Sequence, residues 1–271
     1  MAGFGGFEGR TAVVTGGASG IGLAIARRLR AEGMNLVIAD IDPEALAVAA
    51  AEINALAVPV DVSRVGEVEA LAEATLAAHG SVDLICNNAG VGPAGRLADL
   101  TLADWKWMLE VNLWGVIHGL HVFLPLLKAN PRGGWVVNTA SMGGLSPVEG
   151  LGAYVTAKYG VAGLTETLAL ELASDGAKVG ATLLCPGPIR TNIGRSMRHR
   201  QGEAAPGGLA DVDVSTMAHY RNAIPWRPPE DAAEAVVRAL RQGALYAITH
   251  PEQRDRIERR MGALLAAFEQ E

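Results

Sequence analysis

Strand-like and helix-like segments alternate along almost the whole chain, and this alternation is the strongest constraint on its fold. Short apolar runs predict strands, and the segments between them carry apolar residues at the spacing of an amphipathic helix. Such an order predicts an α/β fold with one doubly wound parallel sheet of about seven strands and helices on both faces. The predicted strands are residues 11–15, 35–39, 55–60, 82–86, 135–139, 179–184 and 245–249, and the predicted helices are residues 20–32, 43–52, 65–79, 102–128, 152–173, 229–242 and 251–270.

The chain of 271 residues fits a single domain, and the sequence shows neither an internal repeat nor a linker. We therefore expect residues 1–271 to form one domain. Residues 190–229 are irregular, and so long a stretch within a domain is usually a lid or a binding loop. We expect one or two short helices in this lid, around residues 214–221, and a C-terminal helix at about residues 251–270.

The composition argues against several classes of partner. The formal net charge is −6, whereas nucleic-acid binding requires a basic face. No apolar run reaches the ~18 residues of a membrane span, and the first residues lack the pattern of a signal peptide. Cys86 and Cys185 lie in strand-like runs and are expected to be buried thiols rather than disulfide or metal ligands. We expect a cytoplasmic protein with a small-molecule substrate and no nucleic-acid, membrane or metal partner.

A glycine-rich turn connects the first predicted strand to the first predicted helix. Gly16, Gly20 and Gly22 follow the spacing G-x-x-x-G-x-G in this turn. Glycine permits a tight turn and lets backbone N–H groups approach a pyrophosphate at the helix N-terminus. Because glycine-rich turns are common, the position between a first strand and a first helix is what makes this one indicative of a dinucleotide site.

Asp40 ends the second predicted strand, where a carboxylate can accept hydrogen bonds from the ribose of a dinucleotide. The same charge would repel the 2′-phosphate of NADP, and the nearby Ile41 and Ser19 bring no compensating cation. These residues favour NAD over NADP. A second interpretation stays open here, because Asp40 could simply cap the turn before Asp42 and Pro43.

Tyr154 and Lys158 stand four residues apart in a predicted helix, and Ser141 precedes the tyrosine by thirteen residues. The spacing places the phenol and the ammonium on one face of the helix. A phenol has a pKa near ~10, and a neighbouring cation can lower that pKa by roughly one to three units. Such a tyrosine could exchange a proton with an alcohol or a ketone. A tyrosine and a lysine on the surface of a helix would show the same spacing. The pair therefore indicates a catalytic site only in combination with the other motifs of the chain.

Taken in order, these motifs resemble those of the short-chain dehydrogenase/reductase family over nearly the whole chain. The resemblance implies a Rossmann-type fold and a hydride transfer between a nicotinamide cofactor and an alcohol or ketone. The catalytic residues that it implies are Asn112, Ser141, Tyr154 and Lys158. The cofactor-binding residues that it implies are Gly16, Ser19, Gly20, Ile21, Gly22, Asp40, Ile41, Asp61, Val62, Asn88, Ala89, Gly90, Tyr154, Lys158, Pro186, Gly187, Ile189 and Thr191.

The resemblance also implies a role for each catalytic residue. Tyr154 is expected to be the acid/base, and Lys158 to lower its pKa and bind the nicotinamide ribose. Ser141 is expected to orient the substrate oxygen, and Asn112 to hold a water molecule that links Lys158 to solvent. Among the cofactor residues, Asp61 and Val62 are expected at the adenine, and Thr191 at the carboxamide of the nicotinamide.

The residues expected at the substrate end are mainly apolar, which favours a bulky hydrophobic or aryl secondary alcohol and its ketone. Core packing is the alternative explanation for most of these residues. Arg195, Arg198 and Arg200 in the expected lid could bind an anionic substrate or lie on a solvated surface. Residues 186–193, the turn at residues 226–229 and the end of the chain resemble those of a subgroup that includes aryl-alcohol Cα-dehydrogenases. The predicted substrate-binding residues are Ser141, Met142, Pro147, Val148, Met197 and Tyr220, and further candidates are Gly143, Leu145, Trp114, Met217 and Trp226.

Two other functions compete with an NAD-dependent dehydrogenase. An NADPH-dependent carbonyl reductase is the nearer alternative. A non-catalytic dinucleotide-binding regulator is disfavoured, because Ser141, Tyr154 and Lys158 are all present. We expect a homodimer or homotetramer, with a dimer through the helices at residues 102–128 and 152–173 as the minimum.

Overall fold

One parallel sheet organises the protein. The structure is a computed structural model that describes residues 3–200, 208–217 and 224–269. The strands in these ranges are β1 (Thr11–Thr15), β2 (Asn35–Asp40), β3 (Leu56–Pro59), β4 (Leu84–Asn87), β5 (Gly134–Thr139), β6 (Val179–Cys185) and β7 (Tyr246–Ile248). They form one sheet in the order β3-β2-β1-β4-β5-β6-β7, and all neighbours pair in parallel. This sheet confirms the fold class predicted from the sequence.

Helices cover both faces of the sheet. They are α1 (Gly20–Ala31), α2 (Pro43–Ile53), α3 (Val65–His79), α4 (Leu102–Leu109), α5 (Gly115–Ala129), α6 (Gly152–Ser174), α7 (Pro229–Gln242) and α8 (Arg254–Ala266). One buried apolar cluster joins α1, α2 and α7 to the first face, and another joins α3, α5 and α6 to the second. Ala12 and Val14 of β1 belong to the first cluster, whereas Val13 belongs to the second. Because successive side chains point to opposite faces, a strand covered on both sides is apolar throughout.

The long helix predicted at residues 102–128 is interrupted. A π-helical turn, Glu110–Trp114, separates α4 from α5. Asn112 lies in this turn and is fully buried. Its side chain accepts a hydrogen bond from Val91 N at 3.1 Å and donates one to Val91 O at 2.9 Å. The turn thus brings a polar side chain to the loop after β4, and π-helical turns are often found at functional sites.

The lid and the C-terminal segment also differ from the expected helices. Ile193–His199 forms a 3₁₀ segment that was not predicted. In the helix predicted at residues 214–221, Val214–Thr216 is a 3₁₀ turn, and residues 218–221 lie outside the described residues. The C-terminal segment begins with a 3₁₀ turn, Pro251–Gln253, and α8 follows it.

Within the described ranges, one helical stretch, Leu102–Ala129, is long and apolar enough to cross a membrane by length and composition alone. This finding is weak evidence, because core helices pass the same test. The inward side chains of the stretch, including Met108, Phe123 and Leu127, are fully buried within the fold. We therefore describe it as a helix that packs on the sheet.

Candidate active site

A cleft of about 900 Å³ lies beyond the carboxyl ends of the strands. Open parallel sheets usually bind ligands there, at the point where the strand order reverses, which here lies between β1 and β4. The cleft collects most of the predicted site residues. Those that line it are Gly16, Ser19, Gly20, Ile21, Asp40, Ile41, Asp61, Val62, Asn88, Ala89, Gly90, Ser141, Met142, Tyr154, Lys158, Pro186, Gly187, Ile189 and Thr191.

The other predicted residues lie elsewhere. Gly22 and Asn112 are buried behind the cleft wall. At the predicted substrate end, Pro147 is exposed and Val148 is buried, and neither lines the cleft. Met197 packs on the cluster of Val91 and Met108 instead. Tyr220 lies outside the described residues.

The glycine turn is shaped by close backbone contacts. Gly16 and Gly20 have φ angles of +65° and +52°, which favour glycine. A Cβ atom at Gly22 would overlap the carbonyl oxygen of Gly16 and lie 2.6 Å from Asn88 Nδ2. A Cβ atom at Gly20 would lie 3.0 Å from Thr191 Cγ2, so the turn after β1 touches the loop after β6.

The N-terminus of α1 suits a phosphate group. Ser19 is the N-cap residue, yet its side chain makes no capping hydrogen bond, and the first turn carries no acidic residue. The first N–H groups of a helix have no partner within the helix, and the helix dipole favours an anion there. Since these groups border the cleft, the residues present fit the pyrophosphate of a dinucleotide.

Asp40 holds the two adjacent turns together. Its carboxylate accepts hydrogen bonds from Ala18 N at 3.1 Å and from Asp42 N at 3.2 Å. The turn-capping interpretation is therefore correct as far as it goes. It does not exclude a ribose contact, because Asp40 also lines the cleft and each carboxylate oxygen has a further acceptor site.

Backbone-directed hydrogen bonds shape the middle of the cleft. Thr15 Oγ1 accepts hydrogen bonds from Asn88 N at 2.9 Å and from Ala89 N at 3.1 Å. Asn88 Nδ2 donates to Thr15 O at 3.0 Å, and Thr139 Oγ1 donates to Asn88 Oδ1 at 3.3 Å. These bonds connect the ends of β1, β4 and β5. Thr15 and Thr139 were not predicted from the sequence, because their hydrogen bonds join strands that are distant in the sequence.

Lys158 is buried beneath Tyr154. Its ammonium donates a hydrogen bond to Thr139 O at 2.8 Å and lies 5.7 Å from the centroid of the Tyr154 ring. Burial lowers the pKa of Lys158 to about 8, because the charged form is poorly solvated there. Asn112 and Lys158 approach the same glycine: a Cβ atom at Gly90 would lie 2.7 Å from Asn112 Oδ1 and 3.6 Å from Lys158 Nζ.

Ser141 and Tyr154 flank a second glycine. A Cβ atom at Gly143 would lie 3.4 Å from Ser141 Oγ and 3.7 Å from Tyr154 Cε1. Ser141 Oγ accepts a hydrogen bond from Gly143 N at 3.0 Å. That bond uses an acceptor site of the hydroxyl, and the hydroxyl hydrogen points toward Pro186 O over a long 3.5 Å contact. The hydroxyl of Ser141 can therefore donate to a better acceptor in the cleft.

The segment Ile193–Arg200 is joined to α4. Arg200 forms an ion pair with the fully buried Asp104 at 2.5 Å, and its guanidinium lies 5.5 Å from the ring centroid of Trp107. Gly92 N donates to Ser196 Oγ at 3.0 Å. Neither Asp104 nor Trp107 was predicted from the sequence as a partner of this segment. Gln253, which lines the cleft from the turn before α8, was not predicted either.

Replacing Gly22 with alanine is expected to lower the free energy of unfolding by about 1–3 kcal/mol, because the added methyl group overlaps the Gly16 backbone. Urea denaturation followed by circular dichroism measures the change. Gly66→Ala is the matched control, since a Cβ atom there meets nothing within 4 Å. If the Gly22 variant is as stable as that control, the close contact in the glycine turn is incorrect.

Lys158→Met is expected to change how stability depends on pH. The unfolded chain keeps the Lys158 proton up to a pKa of 10.5, whereas the folded site releases it near pH 8. The cost of burying the charge is therefore fully present below pH 8 and disappears as pH rises toward 10.5. As the pH rises over this interval, the free energy of unfolding of wild type should increase by up to about 3 kcal/mol relative to that of the variant.

Denaturation of the ligand-free protein at several pH values measures this effect. Lys128→Met, which removes a lysine that is exposed to solvent, is the control. If the difference in free energy of unfolding between wild type and the Lys158 variant is the same at every pH, the burial of a titrating ammonium is contradicted.

Comparisons with known proteins agree with this geometry. A family model described as short chain dehydrogenase matches residues 10–202. A short chain dehydrogenase/reductase from Burkholderia phymatum, solved in complex with NAD, superposes with a TM-score of 0.88 at 33% identity, and the match covers 96% of each chain. The C alpha-dehydrogenase of Sphingobium sp. is 31% identical over 265 residues, which cover 96% of this chain and 86% of that protein.

A further relative, the probable oxidoreductase EphD of Mycobacterium tuberculosis, is 43% identical over 194 residues. That match covers 69% of this chain and 32% of EphD, so the chain corresponds to about a third of the length of this relative. The match to the family model spans well over half of the chain and includes the glycine turn, Ser141, Tyr154 and Lys158. The chain therefore belongs to the short-chain dehydrogenase/reductase family of oxidoreductases.

Proposed function

We propose that the protein transfers a hydride between NAD and a bulky hydrophobic or aryl secondary alcohol or its ketone. The observation that carries this proposal is the convergence of Ser141, Tyr154 and Lys158 on one wall of the cleft, beside the loops that follow β4 and β6. The glycine turn and the N-terminus of α1 form the other end of the same cleft.

Bound NAD would supply the hydride acceptor for alcohol oxidation. Tyr154 removes the hydroxyl proton as a phenolate, which the Lys158 ammonium favours from beneath the ring. Ser141 donates its hydroxyl hydrogen to the same substrate oxygen. In the direction of reduction, Tyr154 returns the proton and Ser141 stabilises the developing negative charge.

Asn112 is proposed to support proton exchange at Lys158. Its carboxamide is held by both backbone groups of Val91, so its position is fixed beside Gly90 and Lys158. A water molecule held there would connect the ammonium to solvent. With a pKa of about 8, Lys158 can release and regain a proton near neutral pH.

Asp40 supports NAD rather than NADP. Its carboxylate is fixed by Ala18 N and Asp42 N and borders the cleft, where it would repel a 2′-phosphate. Ile41, which also lines the cleft, brings no positive charge. The relative from Burkholderia phymatum was solved with NAD. An NADPH-dependent carbonyl reductase is the alternative, and a non-catalytic regulator is disfavoured by the intact Ser141–Tyr154–Lys158 set.

The apolar character of the substrate is supported by the wall near Tyr154. Met142, Val91, Leu151 and Ile193 line the cleft there, together with Trp226. The similarity to a protein named C alpha-dehydrogenase agrees with an aryl substrate. Arg195 and Arg198 also line the cleft, so a carboxylate-bearing alcohol is a useful member of any substrate panel.

We also propose a homodimer as the minimum assembly, through α4, α5 and α6, with a homotetramer as the alternative. Leu102 of α4 is 87% exposed, Leu170 of α6 is 74% exposed, and Trp114, in the turn between α4 and α5, is 51% exposed, which is unusual for large apolar side chains. A cytoplasmic location is proposed because both cysteines are free thiols, as is usual for proteins of a reducing compartment.

Tyr154→Phe tests the mechanism. The variant should lose at least about 100-fold in kcat with every substrate, because the phenolic proton carrier is removed. The dissociation constant for NADH, measured by fluorescence titration, should change little. Tyr159→Phe on the same helix is the matched control, since Tyr159 stacks on Arg260 outside the cleft. Activity of Tyr154→Phe within a few-fold of wild type would refute the assigned acid/base.

Asp40→Ser tests the choice of cofactor. Wild type should use NAD with a kcat/KM at least about tenfold above that for NADP, and the variant should lose most of this preference because the repulsive charge is gone. Steady-state rates with both cofactors and one alcohol provide the measurement. Asp175→Asn, at an exposed acid far from the cleft, serves as the control. A wild-type preference for NADP would overturn the role given to Asp40.

A further inference from the structure

We propose that Thr249 and His250 are positioning residues for hydride transfer. From behind the wall of the cleft, they fix the loop of residues 186–189, against which the nicotinamide of the cofactor is expected to lie. This inference rests on the proposed function and adds to it two residues on which the rate of the reaction depends. Both residues lie outside the lining of the cleft, so they act through the loop and not by touching the substrate.

The loop concerned follows β6 and borders the groups that react. Pro186, Gly187 and Ile189 line the cleft. Pro186 O accepts a hydrogen bond from Met142 N at 2.8 Å, and it is also the 3.5 Å contact of the Ser141 hydroxyl. A shift of this loop would therefore move part of the cofactor wall together with the carbonyl that neighbours Ser141.

A chain of three hydrogen bonds supports this loop from behind. Gly187 N donates a hydrogen bond to Thr249 Oγ1 at 3.0 Å. Thr249 Oγ1 lies 2.6 Å from His250 Nδ1, and His250 Nε2 lies 3.0 Å from Pro225 O. Thr249 is 4% exposed and His250 is fully buried, so bulk water does not compete for these bonds.

The partners dictate the direction of every bond in this chain. Burial lowers the pKa of His250, which keeps the imidazole neutral at pH 7. The carbonyl oxygen of Pro225 can only accept, so the proton of the imidazole is at Nε2, and Nδ1 accepts from the Thr249 hydroxyl. That hydroxyl then presents a lone pair to Gly187 N. The position of the Thr249 oxygen is therefore set by partners on both sides.

Close packing adds to these hydrogen bonds. A Cβ atom at Gly187 would lie 2.5 Å from His250 Nδ1 and 2.6 Å from His250 Cγ, so the backbone of the loop lies directly against the imidazole ring. On its other side the ring binds Pro225, which precedes Trp226 of the cleft lining. His250 therefore lies between two segments of chain that both border the cleft.

Thr249→Val tests the proposal, because valine keeps the shape of the side chain and removes its hydroxyl. The rate of hydride transfer should fall by about 10- to 100-fold, since a small displacement of positioning groups has an effect of this size. The dissociation constant for NADH should stay within about threefold of wild type, because the glycine turn and Asp40 are unchanged. Stopped-flow absorbance of NADH during the first turnover, with saturating NAD and an alcohol that wild type oxidises, measures the rate.

Three further variants separate positioning from a loss of stability. Thr249→Ser keeps the hydroxyl and should restore the rate to within about threefold of wild type. His250→Leu removes the acceptor of that hydroxyl and should be as slow as Thr249→Val. Thr182→Val is the matched control, because the Thr182 hydroxyl is also fully buried, accepts from Trp135 Nε1 at 2.9 Å and donates to Ala244 O at 2.8 Å. Since Thr182 lies away from the cleft, this control should lose stability and keep the rate.

The proposal is overturned if Thr249→Val or His250→Leu transfers hydride at the rate of wild type, or if Thr249→Ser is as slow as the valine variant. It is also overturned if Thr182→Val loses rate to the same extent, or if the only change in Thr249→Val is weaker NADH binding. In each of these cases, oxidation of secondary alcohols by wild type leaves the proposed function intact. If wild type oxidises no alcohol with NAD, the proposed function and this positioning role both fall.

If Thr249→Val does not fold, Thr249→Cys takes its place. A thiol is a weaker hydrogen-bond acceptor than a hydroxyl, so this variant should transfer hydride at a rate between those of the unfolded-prone valine variant's expected value and wild type. A rate equal to that of wild type would overturn the proposal here as well.

Discussion

A positive charge buried at the carboxyl edge of the sheet is the constraint around which the site is built. Lys158 is 2% exposed, and its ammonium donates a hydrogen bond to the carbonyl of Thr139 at the end of β5. Such a charge is costly in a folded protein, and burial accordingly lowers the pKa of Lys158. A buried ammonium is tolerated where hydrogen-bond acceptors replace part of its lost hydration. Here the acceptor is the carbonyl of Thr139, which the sheet positions because β5 pairs with β4 and β6.

The reversal of strand order explains why the two ends of the site meet. The chain leaves β1 for α1 on one face of the sheet and leaves β4 for α4 and α5 toward the other, so a crevice opens between the two loops. Thr15 joins these loops by accepting the N–H groups of Asn88 and Ala89. The glycine turn and the Tyr154–Lys158 pair belong to distant parts of the sequence, yet both border this one crevice.

The sequence predicted the parts of this arrangement that depend on local pattern. Strands buried on both faces are apolar throughout, and helix spacing is visible in a single segment, so the sheet and most helices could be derived from the residues alone. The π-helical turn could not, because it accompanies hydrogen bonds between Asn112 and Val91, which lie 21 residues apart. The substrate wall was the least predictable part. Pro147 and Val148 follow Ser141 closely in the sequence, but the loop turns them away from the cleft.

The C-terminal segment shows why some parts of the cleft are harder to derive from the sequence than others. Tyr154 and Lys158 lie in α6, whose position on the sheet the fold dictates. Gln253 acquires its place only because Arg256 orients its amide, because Gly187 leaves room for its nitrogen, and because His250 and Thr249 satisfy the groups around it. None of these contacts follows from a repeating pattern.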